Sequence, residues 1–194
     1  MHYIVGLGNP GEEYELTRHN AGRMAVLELV KKEGMDEPKY DKKLKSLAVR
    51  GDIGKNKVQI ILPETFMNKS GESLKPLALS AKKAENLIVV HDDIDLPLGK
   101  IKISFGKNSG GHKGVESVIK AVKTVNFTRV RIGISATNAK GIVKKPSGEK
   151  FLDYIVGKFK PSELAEMKKS VKKSVEALRV IVVDGTEKAM GKFN

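Results

Sequence analysis

Three of the four histidines in this 194-residue chain sit where an imidazole can do acid–base work. They are His19 in Thr17-Arg18-His19-Asn20, His91 heading His91-Asp92-Asp93-Ile94-Asp95, and His112 in Ser109-Gly110-Gly111-His112-Lys113-Gly114; His2 is terminal. Asp92 follows the apolar run Leu87-Ile88-Val89-Val90 and so falls at the carboxyl rim of a strand, where open α/β sheets display ligand-binding groups. A histidine held by a carboxylate is the usual general base, because the carboxylate fixes the tautomer and stabilises the imidazolium. Pairing His19 with Asp92 requires only that their loops be neighbours; two separate polar loop residues is the other reading the residue types allow. His91, Asp92, Asp93 and Asp95 also offer hard ligands to a cation, but no second cluster with ligand spacing accompanies them, and a metal-free hydrolase is the preferred reading.

Two asparagines could serve such a base. Asn9 lies in Gly6-Leu7-Gly8-Asn9-Pro10-Gly11 after the first apolar run. This segment matches a dinucleotide-binding fingerprint, yet Gly22 interrupts the helix that should follow, and Lys31-Lys32-Glu33-Gly34 is no second strand. A tight turn presenting Asn9 is the better reading. Asn68, in Pro63-Glu64-Thr65-Phe66-Met67-Asn68-Lys69-Ser70-Gly71, reads either as a helix cap or as a neutral donor aimed at a developing oxyanion.

The elements that must position these groups alternate between short β-branched runs and helix-period segments, the pattern of an α/β domain. Strands are expected at Tyr3 to Leu7, Leu47 to Ile53, Val58 to Leu62, Leu87 to Val90, Lys100 to Ser104 and Arg129 to Ser135. Helices are expected at Ala21 to Lys32, Lys69 to Ala81, Lys113 to Val125, Glu149 to Val156 and Ser162 to Val182. No linker or repeat divides the chain, so residues 1–194 read as one domain, with a mobile loop over Thr137 to Gly148. The charge is uneven: the first 97 residues carry 15 basic and 15 acidic side chains, the second 97 carry 21 and 8, and the net charge is +13. A basic half points to a polyanionic partner whose counterions are released on binding, against the blander reading of a lysine-rich soluble surface. With no Trp and 5% aromatic content, a base-stacking platform is poorly supplied, and with no Cys there is no thiol nucleophile, disulfide or thiolate metal site. No apolar run approaches the ~20 residues of a membrane span, and the amino terminus lacks a signal-peptide pattern, so a soluble cytoplasmic protein is expected.

Taken in order, these segments resemble the bacterial-type peptidyl-tRNA hydrolases. Val5 to Gly11 with Tyr14 and Thr17 to Gly22 is similar to one signature of that family. Thr65 to Asn68 with Ser70-Gly71, His91 to Pro97 with Gly99, and Gly110-Gly111-His112 with Gly114 are similar to three more. Arg129 to Ile134, Val156 to Phe159 and the tail from Asp184 extend the likeness over essentially the whole chain. The resemblance implies a three-layer α/β/α sandwich around a mixed, twisted sheet, acting as a monomer without metal or cofactor. It implies hydrolysis of the ester joining a peptide to the 3′-terminal ribose of tRNA, recycling tRNA for translation after ribosome rescue. His19 would activate water, Asp92 would orient it, Asn9 and Asn68 would position the peptidyl end, and Met67 would wall the cleft. Tyr14, His112 and Lys113 would complete the substrate site, and Arg131, with Lys102 and Lys107, would hold the 5′ phosphate of tRNA. Two positions depart from the family's pattern: Lys113 replaces the usual Asn, where a cation near His19 would disfavour the imidazolium, and Ser104 replaces a common basic residue. Lys113 motivates the alternative of an RNA-binding relative with weak or no hydrolase activity.

Overall fold

The structure is a computed structural model that describes residues 1–146, 148 and 150–194. Seven strands form one sheet: β1 (His2–Gly6), β2 (Lys39–Asp41), β3 (Ser46–Ile53), β4 (Asn56–Pro63), β5 (Leu87–Pro97), β6 (Ile101–Phe105) and β7 (Thr128–Ser135). Their order is β2-β3-β4-β1-β5-β7-β6. The central four, β4, β1, β5 and β7, run parallel, whereas β3 and β6 run against them and β2 pairs antiparallel with β3 at the margin. The sheet is therefore mixed, as expected. The amino-terminal half of β5 and the middle of β1 are apolar because both faces are covered: Ile4, Ile88 and Val90 enter one core, while Val5, Leu87 and Val89 enter the other.

On one face pack α1 (Ala21–Lys32), α5 (Pro161–Asp184) and α6 (Thr186–Phe193), and on the other pack α3 (Lys113–Val122) and a 3-10 segment, Met67–Ser73. Helix and sheet layers thus form the α/β/α sandwich. Because β1 lies between β4 and β5, the chain departs from it in both directions across the sheet. The crevice outside the carboxyl ends of these strands is the expected place for a ligand, and the loop after β1, the turn after β4 and the far half of β5 all open onto it.

Gly22, which reads in sequence as a flaw in a helix, is what lets α1 start there. A Cβ at this position would lie 2.1 Å from the Val90 carbonyl oxygen and 2.9 Å from that of Leu7, so only a glycine allows α1 to press against β5. The turn just before α1, which carries His19, is thereby brought to the strand that carries Asp92.

Several expected boundaries shift. The helix expected from Lys69 to Ala81 is instead the 3-10 segment Met67–Ser73, a second 3-10 turn Lys75–Leu77, and a short α2 (Ala81–Ala84). Pro76 supplies no N–H, and Ala78 turns left-handed at φ 45°, which ends helical propagation. Strand β5 does not stop at Val90 but continues to Pro97, pairing with β7 as far as Asp93↔Gly133 before the register shifts at Pro97↔Ser135. Helix α3 ends at Val122, three residues early, where Lys123 adopts φ 57°. Of the helix expected at Glu149 to Val156, α4 spans Lys150–Val156, and Glu149 lies outside the described residues. The stretch from Thr137 holds a single bridge, Thr137↔Val143, and its Ser147 lies outside the described residues. Strand β2 and helix α6 were not expected.

Candidate active site

His19 sits in a 3-10 turn, Arg18–Asn20, immediately before α1, and its Nδ1 is 2.9 Å from Asp92 Oδ1. His112 Nε2 reaches the same oxygen at 2.9 Å. The three side chains are buried together at the carboxyl end of β5. The tautomer of His112 follows from its cap: its Nδ1 accepts the Val115 N–H at 3.2 Å, so the ring proton is on Nε2 and is donated to Asp92. A neutral His112 thus braces the carboxylate from the start of α3. The same bond bears on metal binding. His19, Asp92 and His112 have the proximity of a metal triad, but a His112 ring that accepts at Nδ1 and binds metal at Nε2 would carry no proton at all. The donor set does not fit a metal.

Asp92 can then take the His19 Nδ1 proton, leaving Nε2 as the free nitrogen of a ring that lines the cleft. Burial works against charge on His19, but the field and hydrogen bond of Asp92 more than offset it, and the imidazole pKa stands above the ordinary histidine value. Burial opposes the Asp92 charge too, yet His19 and His112 hold its carboxyl well below the usual carboxylate range. Beside them, His91 is pushed well below the ordinary histidine value by burial, with the charge of Arg129 adding to it. Its Nδ1 donates to the Asp92 carbonyl at 2.7 Å, which ties the backbone of Asp92 as well as its side chain.

Asn9 is equally constrained. Its N–H donates to Asn20 Oδ1 at 2.8 Å and its carbonyl accepts from Asn20 Nδ2 at 2.9 Å, so one buried side chain grips the peptide on both sides. Asn9 Oδ1 accepts the Met67 N–H at 2.8 Å, which leaves Nδ2 as the donor available to a ligand. That bond also joins the loop after β1 to the turn that carries Met67 and Asn68. Gly71 allows this turn to pack on α3: a Cβ there would meet the Ser117 carbonyl oxygen at 2.1 Å.

These groups open into a cleft of about 760 Å³, lined by Asn9, His19, Met67, Asn68, Asp92, Lys102, Lys107, His112, Lys113 and Arg131. The size suits a ligand larger than water. Every site residue expected from sequence except Tyr14 is brought to it. Tyr14 lines no part of the cleft; its carbonyl accepts the Thr17 hydroxyl at 2.8 Å and so shapes the approach to the His19 turn. Lys113 is turned to Glu116, 3.2 Å from its Oε2, with 69% of its side chain exposed. The downward push expected on His19 is therefore not what the structure shows, since the net shift of His19 is upward.

The far end of the cleft is cationic. Lys102 and Arg131 are cross-strand partners, as are Ser104 and Arg129, which places all four on one face of β6 and β7. Arg131 is spoken for by Asp93, whose Oδ2 lies 2.6 Å from its Nε. Arg129 is 4% exposed, and among the described residues its guanidinium has no hydrogen bond or ion pair. Arg129 was missed in sequence, although the alternation Arg129-Val130-Arg131 places both guanidinium groups on one strand face. Asn20 was missed as the residue that fixes Asn9.

A family model described as peptidyl-tRNA hydrolase matches residues 3–194. Peptidyl-tRNA hydrolase of Thermoanaerobacter sp. (strain X514) is 44% identical over 195 residues, covering 100% of both chains, and that of Bdellovibrio bacteriovorus is 40% identical with the same coverage. A crystal structure of peptidyl-tRNA hydrolase from Acinetobacter baumannii superposes with a TM-score of 0.88 at 33% identity, covering 100% of this chain and 94% of that one. With the family model, the relatives and the solved structure all matching over essentially its full length, the chain belongs to the peptidyl-tRNA hydrolase family.

Proposed function

We propose that this protein hydrolyses the ester between a peptide and the 3′-terminal ribose of tRNA, with His19 as general base. The observation that carries this reading is the His19 Nδ1 to Asp92 Oδ1 bond of 2.9 Å, which commits one ring nitrogen and leaves the other to water in the cleft. His19 Nε2 takes a proton as water attacks the ester carbonyl; Asp92 stabilises the imidazolium that forms. The imidazolium returns the proton to the departing ribose oxygen. Asn9 Nδ2, its orientation set by Met67 and Asn20, donates toward the peptidyl end, and Asn68 offers a second amide there. Met67 and His112 wall and brace this end of the cleft. An ester has a better leaving group than an amide, so one base with neutral donors suffices, each contributing about 10² to 10³ in rate.

The cationic end suits the phosphates of the tRNA acceptor, with Lys102, Lys107 and Arg129 free to meet them and Arg131 shared with Asp93. Discrimination against aminoacyl-tRNA would come from the first peptide bond, because a free ammonium leaves the amide donors unpaired and is penalised. Among the described residues no helix is long and apolar enough to cross a membrane. The alternative of an RNA-binding relative with weak or no activity is motivated by Lys113 and the basic half; the family match favours the hydrolase, and Lys113 faces Glu116 with most of its side chain exposed. The test is release of peptide from peptidyl-tRNA compared with aminoacyl-tRNA. Rapid release from the first alone, abolished in His19→Ala, is expected. Equal rates on both substrates, or full activity in His19→Ala, would overturn the reading.

A further inference from the structure

Arg18, the residue before His19, is 6% exposed and more extensively bonded than any group in the catalytic cluster. Its Nη1 donates to the carbonyls of Gly157 and Lys158 at 3.2 and 3.0 Å, and its Nη2 donates to both Glu163 oxygens at 2.9 and 2.7 Å. The guanidinium plane lies over Tyr154, 4.3 Å from the ring centroid, with Phe159 at 5.2 Å. The backbone repeats the connection: Arg18 N–H donates to Gly157 O, Phe159 N–H donates to Leu16 O, and Thr17 bridges Lys158.

What Arg18 grips is the cleft wall. Helix α4 presents Phe151, Leu152, Ile155 and Val156 to the cleft, while its Tyr154 meets Arg18 and donates its hydroxyl proton to the Ile134 carbonyl at 2.8 Å. Glu163 accepts the Lys160 N–H at 2.7 Å as well, so the carboxylate that holds Arg18 also caps α5. A bidentate guanidinium–carboxylate pair with two further carbonyl bonds defines both distance and plane, which an ammonium cannot. We propose that Arg18 is a positioning residue: it locks the turn carrying His19 to the junction of α4 and α5, so that the cleft wall and the imidazole keep one fixed relation. This rests on the reading of His19 as the base.

The charged groups around the turn are few. Asp92 and His112 contact His19, Lys113 lines the same cleft, Lys158 is the bridge partner of Thr17, Asp153 and Lys150 belong to α4, and Arg23 of α1 is tied to Glu64. Arg18 adds a positive charge that Glu163 balances.

Two variants separate positioning from mere stability. Arg18→Lys keeps the charge and loses the fork; Glu163→Gln keeps the carbonyl bonds and weakens the carboxylate arm. In each, the titration of His19 is followed by NMR without substrate, and kcat, KM and Tm are measured on the folded protein. The expected result for Arg18→Lys is a kcat about tenfold lower with KM within about twofold, since small misplacements of a reacting group are costly. The His19 midpoint should fall by about half a unit as its bond to Asp92 loosens. Glu163→Gln should show the same changes at smaller size, and decides the matter if Arg18→Lys does not fold. A lowered Tm with unchanged His19 titration and unchanged kcat would overturn the proposal. Activity surviving in His19→Ala would instead remove the base assignment while the titration still reports whether Arg18 holds the ring.

Discussion

The two ends of the cleft are built on opposite principles. At the end that holds His19, the polar groups other than the exposed Asn68 are already bonded: Asp92 to both histidines, Asn9 to Asn20 and Met67. At the cationic end Arg131 alone is paired, with Asp93. Among the described residues, Arg129 and the Ser104 hydroxyl are buried without partners, and Lys102 and Lys107 are exposed without ion pairs. A group that must act at one angle on one atom gains from being preorganised, and its neighbours satisfy it in advance. A group that meets phosphate gains from being left unsatisfied, because the ligand then supplies the missing charge. On the proposed mechanism the chemistry falls mainly to the neutral half, with His112 added from the basic half, and the grip falls to the basic half.

The largest effect should come from the bonded end. His19→Ala is expected to cost about 10³-fold or more in kcat while KM stays within a few-fold, measured by single-turnover hydrolysis under enzyme excess. A mainly KM effect would place His19 with the grip rather than the chemistry. Arg129→Ala should do the reverse, raising KM several-fold with kcat nearly unchanged. The slope of log(kcat/KM) against log[salt] should also become shallower by about one unit. An unchanged salt slope would mean that this guanidinium meets no phosphate. The smallest effect concerns the residue between the two ends. With Lys113 exposed and facing Glu116, Lys113→Asn should alter kcat by no more than about twofold. A larger rise would show that the lysine does hinder the base.

Much of this division was legible in the sequence, and the parts that were not share a cause. The alternation of apolar runs gave the layers, because it depends on local pattern; residue types left His19, Asp92, Asn9 and Asn68 with alternative readings, and it was the ordered family signatures that singled them out. Gly22 reads as a helix fault since its value lies in a 2.1 Å approach to Val90, sixty-eight residues later in the chain. The helix expected after Met67 yields to 3-10 turns because packing on α3, Pro76 and the left-handed Ala78 outweigh the helical period. Strand β5 runs past His91 because β7 pairs with it, although its acidic run looks like a loop. Arg18 reads as one more basic residue; its partners Gly157, Lys158 and Glu163 are about 140 positions away and only the fold unites them.

The central claim is that Asp92 tunes His19 for its role, and the pH–rate profile of wild type beside Asp92→Asn tests it most directly. With His19 proposed as the base, its neutral form would be the active one; Asp92 favours the charged form, so the wild-type rate should rise with pH to a midpoint above the ordinary histidine value of about 6.5. In Asp92→Asn the carboxylate's stabilisation is lost while burial remains, so the midpoint should move to lower pH and the plateau should drop by about 10² or more. A midpoint that stays in place when Asp92 becomes Asn, with the plateau intact, would contradict the account.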